Sequence, residues 1–234
     1  MSENNTMIAT EETPNGGNQV TTYFGVKDCA IITRTGGVDS AINLRELRER
    51  LSICNIECLY YHFCETHIRP TFQHPEFRND FAMWAANNLR DRMLAERLGI
   101  LNPYSFDNLQ QLREKTIEII DERISELQSF PSVTMGEAFI FMQAVTVLFD
   151  TGIRLQAPED LITYLPMMSN SSIYYHFLEA RRRTPDRVDD FTFWMQFLDN
   201  KPEKIINALS EVDFYFLNIS ELKQELIDKL QGIK

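Results

Sequence analysis

Basic residues are scarce in this chain of 234 residues, which has 23 Lys and Arg against 34 Asp and Glu and a net charge of −11. Such a balance repels a phosphate backbone, so we expect no nucleic-acid partner. Apolar runs are short as well, because the longest, Ala138–Phe149, contains Gln143 and falls below the roughly 20 residues that cross a bilayer. The first residues also lack the basic and apolar segments of a signal peptide. We therefore expect a soluble, cytoplasmic protein without a membrane partner.

Motifs that bind cofactors are also missing. Gly36-Gly37 and the lone Gly152 lack the spacing of a phosphate-binding loop, so turns are their expected use. The two histidines of the string His62-Phe-Cys-Glu-Thr-His67 do not have the spacing of a metalloprotease. The sequence therefore predicts a protein without a cofactor.

A tandem repeat is the most informative feature that is present. The string Tyr-Tyr-His-Phe occurs at residues 60–63 and again at residues 174–177, and flanking residues match at the same offset. The matches include Leu47, Leu51, Leu59, Glu65 and Arg69 with Leu161, Leu165, Ile173, Glu179 and Arg183, and, after an insertion in residues 70–74, Asp80 and Trp84 with Asp190 and Trp194. We predict a first repeat at residues 22–130, a second at 131–234, and a disordered tail at the polar residues 1–21.

The cysteines lie in the first repeat alone. They are Cys29, Cys54, Cys58 and Cys64, and with His62 nearby the last three resemble a zinc ligand set. The counterparts of those three in the second repeat are Met168, Ser172 and Leu178. Buried, reduced thiols are therefore the favoured interpretation, and we expect no metal.

The periodicity of apolar residues predicts mainly helices. Leucine, isoleucine and threonine residues from Leu109 to Leu127 recur every three or four positions, as on one face of a helix. Asn43, Asp107 and Asn218 are predicted N-caps, each followed three residues later by Glu or Gln. The segments Phe24–Thr33 and Phe139–Phe149 favour short strands. We predict a mainly α fold with two tandem, similar helical halves and at most a minor β element in each.

A polar group repeated in both halves is the candidate site. Its members are Tyr61, His62, Glu65 and Arg69 in the first repeat and Tyr175, His176, Glu179 and Arg183 in the second. On a helix, the His, Glu and Arg of each set project from one face. A histidine beside a carboxylate, with an arginine that holds an anion and a tyrosine hydroxyl as donor, suits acid–base chemistry or a small anionic ligand. A helical ion pair and a histidine that only stabilises packing explain the same residues.

Two further carboxylates are repeated. Asp80 and Asp190 each precede a Phe and stand four residues before a Trp. They are candidates for paired carboxylates of two sites. Helix N-capping is the favoured interpretation, because Asp is among the best N-caps.

The sequence resembles a prokaryotic family of functionally uncharacterised proteins built from tandem copies of a domain that contains Tyr-Tyr-His-Phe. The resemblance covers nearly everything after residue 22 and is carried by Asn43-Leu-Arg-Glu-Leu47, Tyr60–Phe63, Asn79-Asp-Phe81 with Trp84, Leu94-Ala-Glu-Arg-Leu98, and Asn102-Pro-Tyr104 with Leu109 and Leu112-Arg113. It implies a shared fold and transfers no catalytic residue. We expect a non-enzymatic binding or regulatory protein with a protein partner or a small anionic ligand. The alternative is an enzyme that acts on a small anionic metabolite by His and Tyr acid–base chemistry.

Overall fold

The computed structural model describes residues 23–68 and 77–233. The predicted tail, the insertion at residues 70–74 and Arg69 lie outside these residues. The described chain is mainly helical with one small sheet, so the predicted fold class is confirmed at that level. Both predicted strands are present, as β1 (Phe24–Thr35) and β2 (Met142–Leu155), which form a two-stranded sheet. The bounds predicted for the second strand, Phe139–Phe149, were wrong, because β2 begins at Met142 and continues to Leu155.

The chain divides into two compact units, and the divisions fall inside the two strands. The central unit is Ile31–Val145. The terminal unit combines Met1–Ala30 with Thr146–Lys234, of which residues 23–30 and 146–233 are described. The first residues of β1 therefore belong to the terminal unit, and the first residues of β2 belong to the central unit.

The central unit is an assembly of short helices around an apolar core. Its helices are α1 (Leu44–Ile53), α2 (Ile56–Cys64), α3 (Asp80–Asn87), α4 (Arg92–Gly99) and α5 (Leu109–Glu126), with 3-10 turns at Glu65–Ile68, Pro103–Ser105 and Met135–Glu137. Helix α1 buries Leu44, Leu47 and Leu51, which are spaced as one helical face. Phe139 and Phe141, which both precede β2 in the sequence, join the same core.

The terminal unit is also mainly helical. They are α6 (Pro158–Tyr164), α7 (Asn170–Ile173), α8 (Ala180–Arg183), α9 (Asp190–Gln196), α10 (Glu203–Ser210) and α11 (Ile219–Gln231), with a 3-10 turn at Leu165–Met167. A π-helical segment, Tyr174–Glu179, joins α7 to α8. The string Tyr-Tyr-His-Phe is thus π-helical here and α-helical in α2.

The N-caps decide where several helices begin. Asn43 and Asn218 cap α1 and α11, as predicted. Pro158 is the first residue of α6, where its missing N–H has no helical partner to lose. The predicted cap Asp107 was wrong by one residue, because Asn108 accepts the hydrogen bond from the N–H of Gln111 and caps α5.

The capping role favoured for Asp80 and Asp190 was also wrong. Asn79 caps α3, and its side chain accepts a hydrogen bond from the N–H of Ala82. Asp189 caps α9 in the same way with the N–H of Thr192. Asp80 and Asp190 are therefore the first residues of their helices, and their carboxylates are available for other partners.

Candidate functional site

His176 lies inside the terminal unit with both ring nitrogens occupied. Only 2% of its surface is exposed. Its Nδ1 lies 2.8 Å from Oδ2 of Asp190, and its Nε2 lies 2.8 Å from the backbone nitrogen of Lys27 in β1. A backbone N–H can only donate, so Nε2 is the acceptor and Nδ1 carries the proton that is donated to Asp190. These two bonds fix one neutral tautomer.

His62 makes the same pair of bonds in the central unit. It is 3% exposed, its Nδ1 lies 2.6 Å from Oδ2 of Asp80, and its Nε2 accepts a hydrogen bond of 2.9 Å from the backbone N–H of Met142 in β2. Each histidine therefore links the first residue of a helix to a strand residue far away in the sequence.

Aromatic side chains enclose both histidines. The rings of Phe24 and Phe191 lie with their centroids 4.9 and 5.6 Å from that of His176. The rings of Phe139 and Phe81 lie 4.8 and 5.4 Å from that of His62. This apolar surrounding excludes water from both imidazoles, and for His176 it favours the uncharged form.

The electrostatics of the terminal unit agree with a neutral His176. Burial lowers the pKa of His176 below its usual 6.5, the Asp190 carboxylate opposes this effect, and the positive charges of Arg183 and Lys27 add to it. The ring therefore stays neutral at pH 7, with the proton on Nδ1 and Nε2 as an acceptor.

Arg183 is the centre of the polar cluster around His176. Its guanidinium bonds to the carboxylates of Glu179 and Asp190, donates to the carbonyl of Tyr175 at 3.0 Å, and lies 4.1 Å from the centroid of the Tyr175 ring. The Glu179–Arg183 pair is the helical ion pair that the spacing suggested. The structure thus brings together all four candidate residues of the second repeat.

The tyrosines and glutamates of the candidate set are largely buried. Tyr61, Tyr175 and Glu65 are among the buried residues, and burial raises the pKa of Tyr175 to about 12. Burial also raises the pKa of Glu179, against the effect of Arg183. Tyr61 packs edge-on against His62. The structure describes three of the four candidates of the first repeat, and all three, Tyr61, His62 and Glu65, are buried.

Sequence reasoning missed the partners of the histidines. Asp80 and Asp190 had been considered as site carboxylates, and their repetition before a Phe was the signal that could have paired them with the repeated histidines. The other partners are the backbone N–H groups of Lys27 and Met142, which no side-chain pattern reveals.

The cysteines form no metal site in the described part of the chain, where no three His, Cys, Asp or Glu side chains are arranged to hold a metal ion. All four are buried. The thiol of Cys54 donates to the carbonyl of Leu51 at 3.5 Å, and that of Cys58 donates to the carbonyl of Gly36 at 3.9 Å. The side chain of Cys58 also accounts for the glycine at position 36, because a Cβ at that position would lie 2.4 Å from the Cys58 sulfur.

None of the helices in residues 23–68 and 77–233 is long and apolar enough to cross a membrane.

Acidification is expected to destabilise the fold through His176. Its pKa is lowered in the folded state, so the unfolded chain binds the proton more readily. The contribution of neutral His176 to the free energy of unfolding is therefore fully present above pH 6.5. It decreases as the pH falls below that value. The measurement is urea unfolding of the wild type and His176→Gln across this pH, and the difference between them should shrink in acid. A pH-independent difference between the two proteins would contradict the assignment.

Comparisons with known proteins identify a family and a fold. The sequence matches the family described as "Family of unknown function (DUF5752)" over residues 21–231. The structure is similar to the one titled "The structure of OrfY from Thermoproteus tenax", with a TM-score of 0.76 and 21% sequence identity over 90% of this chain and 94% of that chain. No curated protein matches the sequence. At this identity the structural likeness establishes the fold alone.

Proposed function

Since the chain belongs to a family of unknown function, we propose from its own residues that it is a non-enzymatic binding or regulatory protein of the cytoplasm. Its two halves, residues 22–130 and 131–234, are proposed to be tandem copies of one prokaryotic domain. In this proposal the repeated polar residues stabilise the fold, and recognition takes place elsewhere on the surface.

The duplication is supported by matched contacts. In each unit the histidine of Tyr-Tyr-His-Phe bonds through Nδ1 to the first residue of a helix and through Nε2 to a strand N–H. The strand that His176 binds, β1, belongs by sequence to the first repeat, and the strand that His62 binds, β2, belongs to the second. This is the arrangement expected of two copies that exchange their leading strands.

One observation carries the non-enzymatic assignment. Acid–base catalysis by a histidine needs a ring nitrogen that reaches the substrate. In His62 and His176 both nitrogens are bonded inside the protein, and the rings are enclosed by aromatic residues. The repeated histidines therefore serve best as buried links between strand and helix.

The same cluster favours a protein partner over a small anion. The guanidinium of Arg183 already binds two carboxylates, Glu179 and Asp190, so its charge is compensated within the protein. Nucleic acid and membranes remain poor partners for a chain with a net charge of −11.

An enzyme acting on a small anionic metabolite is the second candidate, and one observation favours it. Tyr175, His176, Glu179 and Arg183 all have shifted pKa values and lie in one cluster. Shifted pKa values gather at catalytic sites, although buried ion pairs produce them too. In this candidate His62 or His176 is the acid or base and Tyr61 or Tyr175 the donor.

Diethyl pyrocarbonate distinguishes the two candidates, because it modifies imidazole nitrogens that solvent can reach. We expect peptide mapping by mass spectrometry to find His62 and His176 unmodified in the native protein and modified after unfolding in urea. Rapid modification of either residue in the native protein would remove the basis of the non-enzymatic assignment and favour the enzyme. The urea-unfolded sample is the control for intrinsic reactivity.

A further inference from the structure

Lys27, in the part of β1 that belongs to the terminal unit, carries an ammonium group without a counterion. Its main chain is fixed, because the N–H donates to His176 and the carbonyl accepts a hydrogen bond of 2.7 Å from the hydroxyl of Ser172. The residue is partly buried. Within the described chain its ammonium donates no hydrogen bond and forms no ion pair. Lysine side chains are seldom buried without a partner, so this ammonium is a candidate binder of an external anion.

The other charges around Lys27 are paired with one another. Burial lowers the pKa of Lys27 below its usual 10.5, the positive charge of Arg183 adds to this effect, and Asp190 and Asp150 oppose it. Asp190, however, accepts a hydrogen bond of 2.9 Å from the guanidinium of Arg183. Asp150 accepts one of 2.6 Å from the guanidinium of Arg154. Both carboxylates are therefore engaged, and neither binds the positive charge of Lys27.

The arginines near Lys27 are open to solvent. Gly25 and Lys27 are two residues apart in a strand, so they face the same side of it. The guanidinium of Arg154 lies over Gly25, with Nη1 3.7 Å from the place that a Cβ would occupy. The side chains of Arg154 and Arg183 keep 32% and 29% of their surface exposed. A solute can therefore reach both guanidinium groups.

The hydroxyl of Tyr175 is a second donor without an acceptor among the described residues. Tyr175 is 6% exposed, and the guanidinium carbon of Arg183 lies 4.1 Å from the centroid of its ring. Its hydroxyl is not sealed from solvent, whereas the unpartnered indole nitrogen of Trp194 is. The charge of Arg183 acts on both Tyr175 and Lys27. The unsatisfied hydroxyl and the unsatisfied ammonium therefore lie around one guanidinium.

The lysine is specific to one repeat. In the central unit the strand N–H that donates to His62 belongs to Met142. A methionine at that place shows that the link between strand and histidine needs no ammonium. The fold therefore does not account for the charge of Lys27.

We propose that Lys27, Tyr175 and Arg183 bind a small oxyanion, a carboxylate or a phosphate, at the surface of the terminal unit. Lys27 supplies the uncompensated positive charge, the hydroxyl of Tyr175 donates to an oxygen of the anion, and the exposed side of Arg183 adds to the attraction. Arg183 keeps its bonds to Glu179 and Asp190. This site goes beyond the proposed function, because it gives the protein a small ligand in addition to a protein partner, and it holds for a binding protein and an enzyme alike.

Lys27→Met tests the site, because it introduces the residue that the central unit has at this place and keeps the N–H that His176 accepts. The measurement is NMR of lysine labelled with ¹³C at Cε, at constant ionic strength, while chloride is replaced by inorganic phosphate or by acetate. We expect the Lys27 signal of the wild type to shift and to saturate. The same anion should raise the melting temperature of the wild type and leave that of Lys27→Met unchanged.

Two further variants complete the test. Tyr175→Phe is expected to weaken binding of the anion roughly fivefold, as for the loss of one hydrogen bond. Lys204→Met, at an exposed lysine of α10, is the matched control and should bind like the wild type. Saturation by phosphate alone or by acetate alone supports the site and identifies the chemical class of the ligand.

Other results would overturn the proposal. One is a Lys27 signal that responds to neither anion, or that drifts without saturation together with the signals of exposed lysines such as Lys204. Another is a Lys27→Met variant that the anion stabilises as much as it does the wild type. If that variant fails to fold, the wild-type titration decides alone.

Discussion

Replacing Asp190 with alanine is expected to lower the free energy of unfolding by about 3–5 kcal/mol, because it removes one partner of a buried charged cluster. The Asp190 carboxylate is 1% exposed and accepts hydrogen bonds from Nδ1 of His176 and from the guanidinium of Arg183. Its loss leaves the imidazole N–H without an acceptor and reduces the compensation of the arginine charge to Glu179 alone. Urea unfolding at neutral pH measures the effect.

The control for this variant is Asp186→Ala. Asp186 is an exposed aspartate close by in the sequence, and its replacement is expected to change the free energy of unfolding by less than about 0.5 kcal/mol. A loss below about 1 kcal/mol in Asp190→Ala would be no more than an ordinary neutral hydrogen bond contributes. It would show that the His–Asp link does not stabilise the terminal unit.

Replacing Phe24 with alanine is the second large effect, with an expected loss of about 3–5 kcal/mol as for other buried aromatic residues. Phe24 is 1% exposed, and its ring lies 4.9, 5.1 and 5.4 Å from those of His176, Phe191 and Trp194. The truncation creates a cavity beside the imidazole and weakens the attachment of β1. Thermal and urea unfolding, followed by tryptophan fluorescence, report the loss.

Phe197→Ala is the matched control, because Phe197 is exposed and its truncation removes little buried surface. If Phe24→Ala were no more destabilising than Phe197→Ala, the start of β1 would not be part of the terminal core. That result would argue against the proposed exchange of leading strands between the repeats.

Local sequence signals predicted the helices and strands well but placed some caps one residue away. In Asn79-Asp80 and in Asp189-Asp190 both residues are good N-caps. The start of the helix decides which of the two residues is the N-cap. Here the second residue, Asp80 or Asp190, instead accepts a hydrogen bond from a histidine. That requirement comes from tertiary structure and is invisible in the capping pattern.

The repeat identified the histidines, whereas their role depended on distant contacts. Lys27 and His176 are 149 residues apart in the sequence, and His62 and Met142 are 80 apart. Both bonds use a backbone N–H, which every residue except proline offers, so side-chain identity could not predict them. The π-helical geometry of Tyr174–Glu179 was equally unpredictable, because the same string is α-helical in the first repeat.

The state of the two imidazoles tests the account most directly, and long-range proton–nitrogen NMR of histidine-labelled protein measures it, with His62→Gln and His176→Gln to assign the signals. We predict that both rings carry their proton on Nδ1 at neutral pH, with Nε2 unprotonated and accepting a hydrogen bond. A ring that is protonated on Nε2, or that titrates freely near the histidine pKa of about 6.5, would contradict the claim that these histidines are buried links between strand and helix.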